Sequence, residues 1–365
     1  MKYLTNSLIG IVLLGILVWN PTPLQILELK TFDWLMSSKE TVQDSMILLV
    51  DLDEEIVEAY GGYPLPRGLY ATLINKTQGT AGVTVLMPDP DLRGAVEDAM
   101  LAKALLYNPA VLAYTASNQA TKVGPHVGTA QLGGDPREWL LNYPGILRQQ
   151  HNAVGVGLIN ASPELDGVVR RLPLVVSSGN KLFPSFALEM LRVGVGDPSY
   201  QISTKETGVE WIRIPSFPLI KTDSNSRIWI TSNIKFHRQT AAEFIQKPME
   251  GAVFVIFGVT AEGVVNPVPT AGGAIYPHEL QANVLHHLIN GTSPVQPVWA
   301  AAAELGAALL IILILLLTAS HVYYSAPIFI TAIGALIYAS WYGYESSYLL
   351  DVSGTILISF LFFAI

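Results

Sequence analysis

Four carboxylates in five residues, Asp51, Asp53, Glu54 and Glu55, close the apolar run from Met46 to Val50. Acids just past the carboxyl end of a covered strand stand where open α/β sheets place their ligands, and they suit a hard cation or an amine. The alternating ligand ladder and central glycine of a calcium loop are missing, so capping of the next helix is the competing role. Arg67, after Tyr63-Pro64-Leu65-Pro66, presents a guanidinium either to a ligand carboxylate or to Asp51 or Asp53. Glu279 and Asn283 lie four apart on one helical face, positioned to tie down the turn Thr260-Ala261-Glu262-Gly263. Asp51, Asp53, Arg67, Glu279 and Asn283 are the candidate ligand-binding residues. Arg170 and Arg171 alternate faces if Val168 to Val176 is a strand, and the inward one requires a partner such as Asp166 or Glu164.

Other chemistries are excluded. His278-Glu279 opens like H-E-x-x-H, but position 282 is alanine, which removes the second zinc ligand. His286-His287 stand between a pH-sensing role and an ordinary polar helix face. No G-x-S-x-G elbow, P-loop, G-x-G-x-x-G or kinase signature occurs, so no catalytic residue, metal or cofactor is expected. With no cysteine, disulfides and thiolate chemistry are impossible. A net charge of -8 and a pI near 5.4 exclude nucleic acid as a partner, since phosphate binding needs a basic stripe.

The elements that position these residues are framed by lipid. Half the residues are hydrophobic, 14% are charged and mean hydropathy is +0.40, with the apolar excess gathered in the first 20 residues and the last 70. Residues 1–20 read as an uncleaved transmembrane anchor, because Asn-Pro-Thr-Pro and not a small-x-small site follows Trp19. Residues 297–365 read as three further spans, over Leu305 to Ala319 (extending back to Val298), Val322 to Tyr344 and Tyr348 to Ile365. Aromatic residues such as Trp299, Tyr323, Trp341 and Tyr348 fall at the predicted ends, and Glu304 and Asp351 lie near those ends too. Lys2 favours a cytoplasmic amino terminus, which puts residues 21–296 outside. The localisation expected is a multi-pass protein of the bacterial plasma membrane whose large domain faces the periplasm or exterior.

Within 21–296 the order is that of an α/β unit: strands at Met46 to Val50, Gly82 to Met87 and Val111 to Thr115 alternate with helices from about Arg67 and over Ala95 to Leu106. Such alternation predicts a mostly parallel sheet with helices on its faces. Later segments, Ala153 to Ile159, Val168 to Val176, Val209 to Ile214 and Arg227 to Thr231, predict mainly antiparallel additions. Val253 to Phe257 is another buried strand, and Pro184 to Arg192 and Pro277 to Leu288 are helices. Ala116 to Pro136 has no clear period and is expected to loop out.

Ordered blocks of this region resemble CHASE2, the extracytoplasmic sensory domain of bacterial histidine kinases, adenylate cyclases and diguanylate cyclases. They are Leu29 to Leu35, Ile47 to Glu55 (ILLVDLDEE), Tyr63 to Arg67, Ser162 to Leu174 (SPELDGVVRRLPL), Phe183 to Leu188, Phe254 to Gly263 and Pro277 to Asn283. Their order and spacing, over about residues 29 to 291, carry the resemblance. Two tryptophans of the family's W-P-W-P-R element are replaced by Tyr63 and Leu65, and Val85-Leu86-Met87 stands where an aspartate is usual. The resemblance implies a receptor module in the lipid bilayer, as a homodimer, that recognises a small-molecule or protein ligand. It relays the signal through four membrane helices to a kinase or cyclase output not found in residues 1–365. The alternative is an accessory subunit docking onto a separate membrane, envelope or cytoplasmic protein.

Overall fold

A computed structural model describes residues 2–118, 128–147, 151–231, 233–318 and 322–364. The chain forms two compact units, Thr41–Ser293, and Met1–Glu40 with Pro294–Ile365. Residues 21–40, read from sequence with the outer domain, therefore pack with the terminal helices. Lys2–Trp19 (α1) and Thr22–Ser37 (α2) are bent by 68° from one another. The break has a local cause: Asn20 adopts φ +46°, and Pro21 and Pro23 flank the start of α2, where a missing N–H costs least.

The unit Thr41–Ser293 is built on a seven-stranded sheet of Val42–Leu52 (β1), Thr80–Val83 (β2), Ala110–Ser117 (β3), Gly145–Leu147 (β4), Gly155–Leu158 (β5), Ile234–Thr240 (β6) and Phe254–Val259 (β7). The order is β6-β1-β7-β2-β3-β4, with β5 also pairing β3. All pairings are parallel except β3 with β4. Glu54–Ala59 (α3), Arg67–Lys76 (α4), Ala95–Tyr107 (α5), Phe186–Val195 (α6), Ala241–Gln246 (α7) and Pro277–Asn290 (α8) cover it.

Strand alternation sends residues to two cores. Ile47 and Leu49 of β1, Val111 and Ala113 of β3, and Phe254 and Ile256 of β7 face the core that includes α6 and α8. Leu48, Val50, Leu112, Val255 and Phe257 face the core of α4, α5 and α7. The mostly parallel α/β reading is thus the observed architecture, and a four-stranded sheet with both antiparallel and parallel pairs supplies the additions.

Three expectations change. Val168 to Val176 is two strands with different partners, Arg171–Pro173 against Arg227–Trp229 and Val175–Ser178 against Lys181–Pro184, because Pro173 has no N–H with which to continue one ladder. Of Ala116 to Pro136, residues 119–127 lie outside the described residues, and Gly128–Leu132 is a strand parallel to Ser199–Lys205. Ile234–Thr240, given no element from sequence, is the edge strand β6.

In the terminal unit, Ala300–Thr318 (α9) and Val322–Glu345 (α10) are long and apolar enough to cross a membrane, and the α1–α2 pair qualifies only together, as one broken span or a re-entrant loop. Ser353–Phe363 (α11) has 11 residues, about 16 Å at 1.5 Å per residue against a core of about 30 Å. Two C-terminal spans are therefore supported by length. The Ser320-His321 turn expected between α9 and α10 lies outside the described residues. Glu304 accepts from the Asp351 N–H at 2.9 Å, and Asp351 Oδ1 accepts from the Ser353 N–H at 2.8 Å.

Candidate functional site

Asp51 sits near the carboxyl end of β1, opposite Gly258 of β7 and Thr240 of β6. It shares the strand face of Ile47 and Leu49 and so points toward α8, whose second residue is His278. The fully buried His278 ring places Nε2 2.9 Å from Asp51 Oδ1. Gly258 makes this possible: a Cβ there would lie 2.2 Å from His278 Cγ. Arg238, on the neighbouring edge strand, donates from Nε and Nη2 to Asp51 at 3.0 and 3.1 Å and from Nη1 to Glu279 at 2.7 Å. One guanidinium thereby joins two carboxylates.

The electrostatics follow the geometry. Burial pushes the Asp51 carboxyl up, but hydrogen bonds and charge from His278 and Arg238 outweigh it and hold it at about 2. Burial alone lowers the Arg238 pKa, and its two carboxylate partners reverse that, so it is raised. Asp51 is therefore a permanent anion at neutral pH.

The five candidates separate. Asp51 and Glu279 share Arg238. Asn283 lies one turn along α8 from Glu279, where Nδ2 donates to the Thr231 carbonyl at 2.5 Å. Neither reaches the Thr260–Gly263 turn, which is held by Thr260 N–H to Leu52 O and Glu262 N–H to Glu54 Oε1. Asp53 caps α3 by accepting from Ile56 N–H at 3.2 Å, the competing role named above. Arg67 pairs with neither Asp51 nor Asp53. Its N–H donates to Asp91, its Nη2 to the Asp89 carbonyl, and its Nε lies 3.9 Å from Asp98, which also meets His151 at 2.9 Å. The buried Arg170 pairs with Asp166 and Arg171 with Glu164, all as structural pairs.

Sequence reasoning missed Arg238 and saw His278 only as a failed zinc motif. The alternation of Ile234, Phe236 and Arg238 was the available signal, but its intervening polar residues blur it. It also missed a second pair at the other end of the same two elements. Asp44 of β1 meets His286 of α8 at 2.6 Å, and both are buried. His287 is buried as well, its Nε2 accepting from Thr231 N–H at 3.2 Å and its Nδ1 2.8 Å from Thr292 Oγ1. An exposed polar helix face is thus ruled out for both histidines. Burial, with the neighbouring His286, lowers His287 to about 3. Among the described residues, no group of three or more acidic, His or Cys side chains is arranged to hold a metal.

The family model for the CHASE2 domain matches residues 8–320, most of the chain. Neither the curated proteins nor the solved structures compared with it gave a match.

Proposed function

The chain belongs to the CHASE2 family, a family of extracytoplasmic sensory domains, and on that premise we propose that Thr41–Ser293 is the input module of a bacterial transmembrane signalling receptor. It recognises a ligand at the α8 side of the sheet, around Asp51, Arg238, Glu279 and Asn283, and biases the packing of the terminal helices toward a cytoplasmic kinase or nucleotide-cyclase output. One observation carries the reading: the site is built chiefly on β1 and α8, the two elements whose chain runs directly into the terminal helices, through residues 38–41 and 291–299. A ligand that prefers one arrangement of β1 against α8 therefore biases the two elements that lead, at their other ends, into the terminal helices.

The absence of native cysteine makes the topology testable. A single Asp53→Cys variant in intact cells should react with a membrane-impermeant maleimide. Protection until the cells are lysed would overturn the reading. Deleting 46–291 while keeping the terminal helices should abolish stimulus response. A second reading, an accessory subunit docked onto another envelope protein, is favoured by the exposed Val96, Met100, Leu106 and Tyr107 of α5. An unrelated stoichiometric partner in the purified membrane complex would support it.

A further inference from the structure

Between α8, the edge strand β6 and the hairpin of Val268–Thr270 and Gly273–Ile275 lies a cavity of about 40 Å³. A single water needs about 10 to 15 Å³, so this space has room for one small head group. Its walls include apolar Ile230, Phe236 and Ile275, and its polar lining includes Glu279, Asn283 and Thr231.

Two features of that lining are otherwise unexplained. Asn283 is 4% exposed and commits Nδ2 to the Thr231 carbonyl, yet among the described residues its Oδ1 has no hydrogen-bond partner. A buried acceptor without a donor is costly and marks a site that something else completes. Among the described residues the cation paired with Glu279 is Arg238, which it shares with Asp51, because Arg238 spends Nε and Nη2 on Asp51 and Nη1 on Glu279. His278 and two of the guanidinium N–H groups serve Asp51, so Glu279 is the less neutralised of the two carboxylates, beside the Phe236 ring.

We propose that this cavity binds the ammonium head of a small primary amine, its N–H groups donating to Glu279 and to Asn283 Oδ1. The proposal names the ligand class of the sensory site and so rests on that reading. An anion is repelled by the Glu279 carboxylate. A quaternary ammonium brings charge without the N–H donors that Asn283 Oδ1 requires.

The test uses the full chain in lipid nanodiscs, with methylammonium as the probe and binding followed by ligand-observed NMR. The expected result is saturable binding, at least tenfold weaker in both Glu279→Gln and Asn283→Ala, with neither acetate nor tetramethylammonium bound. Glu279→Gln also loosens Arg238, so circular dichroism checks each fold, and Asn283→Ala, which keeps every charge, decides if the first variant unfolds. No saturable binding to the unaltered chain, equal binding of tetramethylammonium, or full binding by folded Asn283→Ala would each overturn the proposal. The maleimide result at position 53 is independent, so a failed pocket and a failed sensory reading are told apart.

Discussion

Around their shared apolar packing, strand β1 and helix α8 are joined by two aspartate–histidine pairs, one toward each end. At one end Asp51 joins His278, beside an arginine that is 37% exposed on its side chain and a second carboxylate. At the other, Asp44 joins His286 with both side chains under 9% exposed. Burial pushes Asp44 up, but His286 and the N–H groups of Ile47 and Met46, which donate to it at 2.8 Å, hold it low. The residue types are the same, but the surroundings assign the roles. The Asp44 pair is buried on both sides and is architecture; at the other end Arg238 and Glu279 are partly exposed and so accessible to a ligand.

The largest effect expected at the closed end belongs to His287. Its folded pKa of about 3 lies below the unfolded value of about 6.5. Between these values the unfolded chain takes up a proton that the native state refuses, so stability falls as pH drops from 6.5 toward 3. The slope is about 1.4 kcal/mol per pH unit, several kcal/mol in all. Below pH 4, Asp44 and Asp51 add loss in the same direction, because their folded pKa values are depressed. Denaturant unfolding across this range should show the slope, and His287→Gln should flatten it between pH 6.5 and 4. An unchanged slope in that variant would place the acid sensitivity elsewhere.

Two substitutions probe the open end. Gly258→Ala drives a methyl into the His278 ring and should cost about 3 kcal/mol, at the upper end for overpacking. Combining it with His278→Ala should cost less than the sum of the singles, since they share one overlap; strict additivity would mean that the ring does not rest on Gly258. Asp51→Asn should cost about 2 kcal/mol, because it leaves His278 and part of Arg238 without their anion. It should also weaken the acid limb below pH 4 without touching the His287 slope.

Much of this was legible locally. Met46 to Val50 and Val253 to Phe257 are apolar runs because both faces of a central parallel strand are covered, and α8 shows its proline start and its Gly291 stop, at φ +63°. The edge strand was not legible. Ile234-Lys235-Phe236-His237-Arg238-Gln239-Thr240 is half exposed, so no long apolar run announces it, and its pairing with β1 spans almost the whole domain in sequence. The site suffered for the same reason. Asp51 and Arg238 are 187 residues apart, and nothing near Asp51 tells which of several arginines will reach it. Arg67 was the nearer choice in sequence, but α4 carries it to Asp91 and Asp98.

The smallest effect is the most diagnostic for the comparison. Arg238→Met removes the guanidinium between Asp51 and Glu279, yet Arg238 is more than a third exposed on its side chain, so water screens much of the loss and the cost should be about 1 kcal/mol. What remains are two carboxylates facing each other, and their repulsion is what salt should relieve: the deficit should shrink as ionic strength rises from about 0.01 to 1 M, where the screening length falls from about 30 to 3 Å. Adding Asp51→Asn should rescue Arg238→Met, since it deletes one of the two like charges. A deficit that ignores salt and deepens in the double variant would mean that Arg238 acts by packing its stem against β1, and that no repulsion between carboxylates distinguishes this end of α8 from the other.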